Sequence, residues 1–262
     1  MKRSSRARLS ATAAVGALSL ALITGCSSDG GSTDSEGSAD SGSGAADAKA
    51  LSKTDLEKLL LVVSDVKGYR VDSGDDTLPK SKTEVKTDKA ACDPLAWATA
   101  GLAPGETDAN VSNTVAEDPT AGAATPTDPS DLSDEDIENA LGAAMTFVGL
   151  SSYEGDGAEK AMKAVSDGVG ACAGGYALTT AAESSKVTKV ASVEGSGQGD
   201  ESVAFSEGVD MDGEGTATFL TEVVRKGNTV ATFYTVDFSS LGSGKAAEIP
   251  AAVVEAQVAK IK

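Results

Sequence analysis

The stretch that decides the fold is TATFLTEVVRKGNTVATFYTVDF, residues 216–238. Two runs rich in β-branched and aromatic residues flank Gly227-Asn228, a dipeptide typical of two-residue hairpin turns. Because successive strand residues point to opposite faces, Val223 falls on one face of the first run and Val224 on the other. The stretch therefore predicts a β-hairpin with apolar side chains on both faces.

Three stretches earlier in the chain predict further strands. Residues 187–193 and 203–209 alternate in hydropathy, and residues 145–153 alternate well enough to join them. A hairpin together with several short alternating runs favours an antiparallel sheet.

Helical patterns lie between and around these strands. The longest predicted helix covers residues 158–172, whose apolar side chains recur at helical spacing on one face. A final helix is expected to start near Pro250. Asp93-Pro94 has the character of an N-cap and first helical residue, which predicts a short helix carrying Trp97.

The domain is expected to open with a helix and to contain one long loop. Thr54 and Glu57 are spaced as a capping box for the opening helix, and Gly68 is predicted to end it. Residues 103–131 contain four prolines and few large apolar side chains, so we expect a loop that leans towards disorder, with one short strand at 110–115.

These patterns predict an α+β fold, a twisted antiparallel sheet packed with a few helices on at least one face. All ten aromatic residues of the chain lie between Tyr69 and Phe238. Residues 51–262 therefore contain the core-forming side chains, and their number fits a single domain.

The first 25 residues have the character of an export signal. Four basic residues and no acid occupy the first eight positions, and the apolar stretch after them is shorter than the roughly 20 residues of a spanning helix. It ends in Ile23-Thr24-Gly25-Cys26, which resembles the lipobox of bacterial lipoproteins. We predict a lipoprotein signal peptide at 1–25, with an ordinary secretory signal as the alternative.

Lipidation would give the chain a membrane partner. If Cys26 carries acyl chains, the protein is anchored in the bilayer and lies on the outer face of the cell membrane. Residues 26–50 are rich in Ser, Gly, Ala and Asp and contain no aromatic side chain. They are predicted to form a flexible tether.

Charge and composition exclude several classes of function. The chain has no His and a formal net charge of −18. Catalytic triads and metal sites that need imidazole are therefore excluded. The excess of acid argues against nucleic acid as a partner. We expect no cofactor and no enzymatic activity, with a hydrolase using carboxylates alone as the enzymatic alternative.

Two cysteines remain once Cys26 is acylated. An even pair in an exported domain predicts one disulfide, between Cys92 and Cys172. Two free buried thiols are the alternative.

Three residues are candidates for ligand binding. Arg225 could clamp an anionic group, and Trp97 and Tyr234 could line an aromatic site. The alternatives are pairing of Arg225 with carboxylates on a neighbouring strand and packing of Trp97 in the core.

A weaker candidate is a cation site in the turn after residue 209. Asp210, Asp212 and Glu214 alternate before Gly215, a pattern that partly resembles a calcium loop. The position that needs a bidentate Glu is occupied by Thr221, so a plain acidic turn between strands is the alternative.

The order of these features resembles the PknH-like extracellular sensor domains of actinobacteria over residues 51–262. The resemblance is carried by the Cys pair, by GDES at 199–202 and by VVRKGNTV at 223–230. It implies an α+β fold with a groove between sheet and helices, a ligand- or partner-sensing role and no catalytic residues. This chain has two candidate bridging cysteines rather than four.

The sequence therefore predicts a membrane-anchored extracytoplasmic lipoprotein with a non-enzymatic ligand-binding or sensor-like domain. The alternative is a cell-envelope lipoprotein that binds another protein and takes no small ligand. The sequence names neither the ligand nor the partner.

Overall fold

The computed structural model describes residues 49–72, 78–118, 144–180, 183–211, 215–237 and 246–262. Within these ranges the chain forms nine β-strands and four α-helices. The strands are β1 Tyr69–Asp72, β2 Lys86–Thr87, β3 Asn110–Glu117, β4 Met145–Ser152, β5 Tyr176–Thr179, β6 Ser184–Val193, β7 Glu201–Asp210, β8 Thr216–Lys226 and β9 Thr229–Val236. The helices are α1 Lys53–Leu59, α2 Asp93–Thr99, α3 Gly157–Ala171 and α4 Ala251–Lys260.

All nine strands join one antiparallel sheet in the order β1-β3-β4-β9-β8-β7-β6-β5-β2. The predicted hairpin is confirmed, and its first strand β8 is the middle strand of the sheet. Lys226 pairs with Thr229 across the turn. Gly227 adopts a φ of 59°, a left-handed conformation that glycine reaches without steric cost. The stretch 216–236 therefore forms the centre of the sheet.

Helices cover the sheet on both faces. Leu95 of α2 and Met162 of α3 pack with Val223 on one face. Leu56 of α1 and Val254 of α4 pack with Val224 on the other face. The α+β class is confirmed, and the alternation predicted for the central strand places its two valines in two separate cores.

One disulfide ties the helices of the first face together. Cys92 and Cys172 are bonded, with their Cα atoms 5.9 Å apart and a sequence separation of 80. Cys92 directly precedes α2, and Cys172 directly follows α3. Both residues are buried, so the bridge belongs to the core.

The beginnings of two helices differ from the sequence predictions. Ser52 rather than Thr54 caps α1, because its Oγ accepts a hydrogen bond from the backbone N–H of Asp55 at 3.2 Å. Cys92 rather than Asp93 is the N-cap of α2. Each cap lies one or two residues before the residue that composition favoured.

The end of α1 is the larger correction. The helix stops at Leu59, well before Gly68, and Leu60 is extended, with a ψ of 149°. Residues 59–63 are all apolar, and one helix face could not bury them together. The chain leaves the helix there and continues as a 3₁₀ turn at Val63–Asp65.

Several strands were missed or lengthened. The short strands β1, β2 and β5 carry too few alternating residues to be predicted. Strand β3 runs from Asn110 to Glu117, two residues beyond the predicted 110–115. The remainder of the predicted loop, from residue 119 to 131, lies outside the described residues, as do residues 1–48 with the predicted signal peptide, Cys26 and most of the tether.

The first described residues lie beside the β8–β9 turn. The Nδ2 of Asn228 donates to the carbonyl of Lys49 at 2.7 Å, and the N–H of Leu51 donates to the Oγ of Ser152 at 2.9 Å. The chain preceding the domain therefore enters at the turn end of the central hairpin. None of the helices in the described ranges is long and apolar enough to span a membrane.

Candidate functional site

Two side chains of α4 hold the chain just after α1. A helix C-terminus leaves backbone carbonyls without helical partners. Here the Nε2 of Gln257 donates to the carbonyl of Leu59 at 2.8 Å, and the Nζ of Lys260 donates to that of Leu60 at 2.7 Å. Lys260 also pairs with Asp65 at 2.5 Å. Helix α4 thus fixes the path of the segment that follows α1.

This fixed segment forms one wall of a groove, which we call the α1–β3 groove. Its volume is about 680 Å³, within the range of pockets that bind small molecules. Its walls come from α1, from the segment after α1, from β1 and from β3. The lining residues are Glu57, Leu60, Leu61, Val62, Val63, Val71, Val111, Ser112 and Asn113.

Six of the nine residues that line the groove are aliphatic and three are polar, and the groove is partly open to solvent. Val62 is 51% exposed and Val63 is 61% exposed, so two adjacent aliphatic side chains face solvent at the groove. Exposed apolar side chains at the mouth of a cavity gain free energy when a ligand or partner covers them.

A buried amide lies among these apolar walls. Asn113 is 2% exposed, and its Nδ2 donates to the carbonyl of Leu61 at 2.9 Å. Its Oδ1 accepts a hydrogen bond from none of the described residues. A buried acceptor without a partner costs about 1–3 kcal/mol, so a donor that reached Asn113 would be bound with corresponding preference.

The charge of the groove restricts its ligand. Among the described residues that line it, Glu57 is the one with a formal charge. Its carboxylate opposes the entry of anions. The groove is therefore suited to an apolar molecule that carries an O–H or N–H donor and is neutral or positively charged.

Arg225, predicted as a ligand clamp, lies in ion pairs away from this groove. Its Nε is 3.3 Å from a carboxylate oxygen of Glu201, the residue opposite it on β7. Its Nη1 is 3.4 Å from Asp200 and also donates to the carbonyl of Gly227. The structure thus shows the cross-strand pairing that was the alternative.

Tyr234, on β9, and Trp97, on α2, lie away from Arg225. Tyr234 stacks on Phe147 with ring centroids 5.9 Å apart, and its register partner on β8 is Thr221, four residues before Arg225. Four strand residues span about 13 Å, so Tyr234 and Arg225 do not share one site. Trp97 packs against the core of the first face.

A second buried polar group lies on the face covered by α2. The carboxyl of Glu207 accepts hydrogen bonds from Tyr176 Oη at 2.6 Å and from Thr99 Oγ1 at 3.1 Å. Burial raises the pKa of Glu207. Burial, together with the nearby Glu207, also raises the pKa of Tyr176. These hydrogen bonds join α2, β5 and β7, and the carboxyl lies outside the α1–β3 groove.

The predicted cation site is only partly within the described residues. Asp210 ends β7, whereas Asp212 and Glu214 lie outside the described ranges. In the part of the chain that the structure describes, no group of three or more acidic or cysteine side chains is placed to hold a metal ion.

The residues that form the groove were not singled out from the sequence. The available signal was the unbroken apolar run at 59–63, which is longer than a single buried face needs. Asn113 gave no local signal, because its partner Leu61 is 52 residues away in sequence.

Comparison with known proteins finds similar solved structures, two of which are described here, and no family. No family model matches the chain, and no curated protein matches it. The extracellular domain of PknH from Mycobacterium tuberculosis is 15% identical with a TM-score of 0.46, covering 81% of this chain and 95% of that chain. A putative uncharacterized protein, the Rv0999 ortholog from Mycobacterium smegmatis, is 13% identical with a TM-score of 0.32, covering 80% and 94% respectively.

Identities and TM-scores at this level carry no information about function. No family model tests the resemblance found in the sequence. Membership of the PknH-like sensor domains stays a prediction.

Proposed function

We propose that this chain is a lipid-anchored extracytoplasmic lipoprotein whose domain binds a ligand in the α1–β3 groove without chemical turnover. The observation that carries the proposal is the unpaired Oδ1 of Asn113 at the wall of a 680 Å³ groove. Few buried polar atoms lack a partner in native domains. Among the described residues Trp97 Nε1 and Thr232 Oγ1 also lack one, but of the three residues only Asn113 lines the groove.

The anchored part of the proposal rests on the N-terminal sequence. The basic start, the apolar stretch and Ile23-Thr24-Gly25-Cys26 agree with a lipoprotein signal. The disulfide between Cys92 and Cys172 fits a domain outside a reducing compartment.

The ligand follows from the chemistry of the groove. Apolar walls require a hydrophobic body, Asn113 requires a donor, and Glu57 disfavours an anion. An amphiphilic molecule with a hydroxyl, amide or ammonium group meets all three conditions.

The residues of the domain give little support for catalysis. The chain lacks His, and the buried carboxyl of Glu207 is occupied by two hydroxyl donors outside the groove. We therefore propose binding rather than catalysis.

A second function is favoured by one observation, the exposure of Val62 and Val63. Two adjacent exposed valines could equally be covered by an envelope protein. In that case the groove would be part of a protein interface and would take no small molecule.

Native mass spectrometry of the protein recovered from its host membranes separates these functions. The expected result is a non-covalent adduct of small-molecule mass that is lost on denaturation, on a chain that retains acyl groups at Cys26. A domain of bare mass would contradict the small-ligand function and favour the protein interface.

A further inference from the structure

The strand β3 extends beyond the strand that pairs with it on its outer side. β1 pairs with β3 only up to Asp72, which lies opposite Thr114. On its inner side β3 pairs with β4 from Asn110 onward. In the ranges that the structure describes, no strand therefore pairs with residues 110–113 on the outer side of β3.

The backbone hydrogen bonds at the two ends of β3 show which residues turn towards this open edge. The N–H of Ser152 donates to the carbonyl of Ala109 at 3.0 Å. The N–H of Glu117 donates to the carbonyl of Ala144 at 3.2 Å. Residues 109 and 117 thus bond towards β4, and the register between them is unbroken. Because bonds along an antiparallel strand alternate with a period of two, the N–H and C=O of Ser112 point towards the open edge.

Ser112 brings this open edge into the α1–β3 groove. It lines the groove together with its neighbours Val111 and Asn113. Val111 packs with the core under α1, and Asn113 bonds to Leu61 in the segment after α1. The groove therefore combines a backbone donor and acceptor at a strand edge with apolar walls and the unpaired Oδ1 of Asn113.

An extended peptide meets these groups together. A free strand edge is a template for another backbone, which supplies an N–H and a C=O at strand spacing. Alternate side chains of an added strand lie on the same face and can reach the apolar walls on the side of α1. Glu57, the charged residue of the lining, favours a basic side chain or an N-terminal ammonium group.

We propose that the α1–β3 groove binds a short free peptide that adds to the edge of β3 as an extended strand. This inference rests on the proposed function, because it names the chemical class of the ligand in the same groove. The peptide backbone exchanges hydrogen bonds with Ser112, and an apolar side chain covers the exposed Val62 and Val63. The open edge at 110–113 is about 13 Å long, which suits a segment of about four residues.

The composition of the bound molecule is the first test. The unsubstituted protein is recovered from host membranes, and the adduct released by denaturation is examined by tandem mass spectrometry and by amino-acid analysis after hydrolysis. We expect amino acids and fragments that differ by residue masses. An adduct without amino acids, or a partner of protein mass, would overturn the peptide ligand. Absence of any adduct would contradict the proposed function itself.

The contact with the strand edge is tested by Ser112→Pro, with Ser112→Ala as its matched control. Proline lacks an N–H, and it is tolerated in a strand where that N–H points away from the sheet. The peptide sequenced from the adduct is synthesised and titrated into each variant by calorimetry. We expect Ser112→Pro to bind it about fivefold or more weakly, because one strand hydrogen bond is lost. Ser112→Ala keeps the N–H and should bind within about twofold of the unsubstituted protein.

Equal affinities of the two variants for the peptide would overturn pairing at this edge. Urea denaturation shows whether Ser112→Pro folds. If it does not, the same contact is tested on the peptide, by methylating its backbone nitrogens one at a time. Methylation at alternate residues should weaken binding to the unsubstituted protein, because an added strand bonds to β3 at every second residue. Full binding of every methylated peptide would contradict the proposal.

Discussion

Asn113 joins β3 to the end of α1 through one half of its side chain and leaves the other half unpaired. Its Nδ2 donates to the carbonyl of Leu61 at 2.9 Å, while its Oδ1 meets no donor among the described residues. The first contact shapes the α1–β3 groove, and the second gives the groove its one buried acceptor.

Asn113→Ala is expected to lower stability as well as ligand binding. The carbonyl of Leu61 would lose its donor inside the protein, at a cost of about 1–3 kcal/mol in the free energy of unfolding, and removal of the unpaired Oδ1 would return part of that cost. Urea denaturation measures this change. Ser112→Ala, at a neighbouring lining position, is the control and should change stability by less than about 0.5 kcal/mol. Equal effects of the two substitutions would show that the amide has no special role.

The disulfide should contribute much of the stability of the first face. Cys92→Ala/Cys172→Ala opens a loop closed over 80 residues. The expected loss is about 2–5 kcal/mol in the free energy of unfolding, because the unfolded chain regains the freedom that the bridge removed. Denaturation with and without a reductant measures it. If the reductant lowers the stability of the double variant as much as that of the unsubstituted protein, the bridge is not the cause.

Glu207 should make stability depend on pH in a defined direction. Burial raises its pKa above the ordinary value of 4.5, so the folded state binds this proton more tightly than the unfolded chain does. At pH values above the folded pKa, the buried carboxylate destabilises the fold. That cost is relieved as the pH falls through the folded pKa, and the change ends near pH 4.5, where both states are protonated.

Glu207→Gln places a neutral group at the same position and isolates this effect. The variant should gain stability relative to the unsubstituted protein at pH 8, and the gain should shrink towards pH 5. Urea denaturation of both proteins at each pH measures the difference in their free energies of unfolding. The contributions of the other titratable groups cancel in this difference, because both proteins contain them. A gain that stays constant between pH 5 and pH 8 would contradict a raised pKa at Glu207.

The membrane anchor depends on one residue. Cys26→Ala should yield protein without acyl chains, either unprocessed or released from the membrane, because the thiol that takes the lipid is absent. Fractionation with mass measurement of the product tests this. Acylated protein in the membrane fraction of the variant would mean that the lipobox was wrongly assigned.

The fold was largely predictable because its central elements have strong local patterns. The hairpin follows from Gly227-Asn228 and alternation, and α3, Gly157–Ala171, lies within one residue of the predicted 158–172. Both depend on residues close in sequence, where period and turn chemistry act directly. The short strands β1 and β5 depend instead on neighbours supplied by the rest of the sheet.

The candidate sites were less predictable, for a physical reason. The groove exists because Gln257 and Lys260 hold carbonyls of residues about 200 positions earlier, and because Asn113 reaches Leu61. Such contacts leave no periodic trace in the sequence. Arg225 was predicted as a possible clamp for an anionic group, but the sequence does not reveal that Glu201 lies opposite it.

The position of the ligand in the α1–β3 groove is tested most directly by comparing two valine substitutions. Val63, at the groove, is 61% exposed, and Val193, at the end of β6, is 36% exposed, so either can be replaced by Arg at small cost to folding. The measurement is the amount of non-covalent adduct on Val63→Arg and Val193→Arg, recovered from host membranes, by native mass spectrometry. We expect Val63→Arg to lose the adduct and Val193→Arg to retain it at the level of the unsubstituted protein. An adduct retained in full by Val63→Arg would contradict binding in this groove.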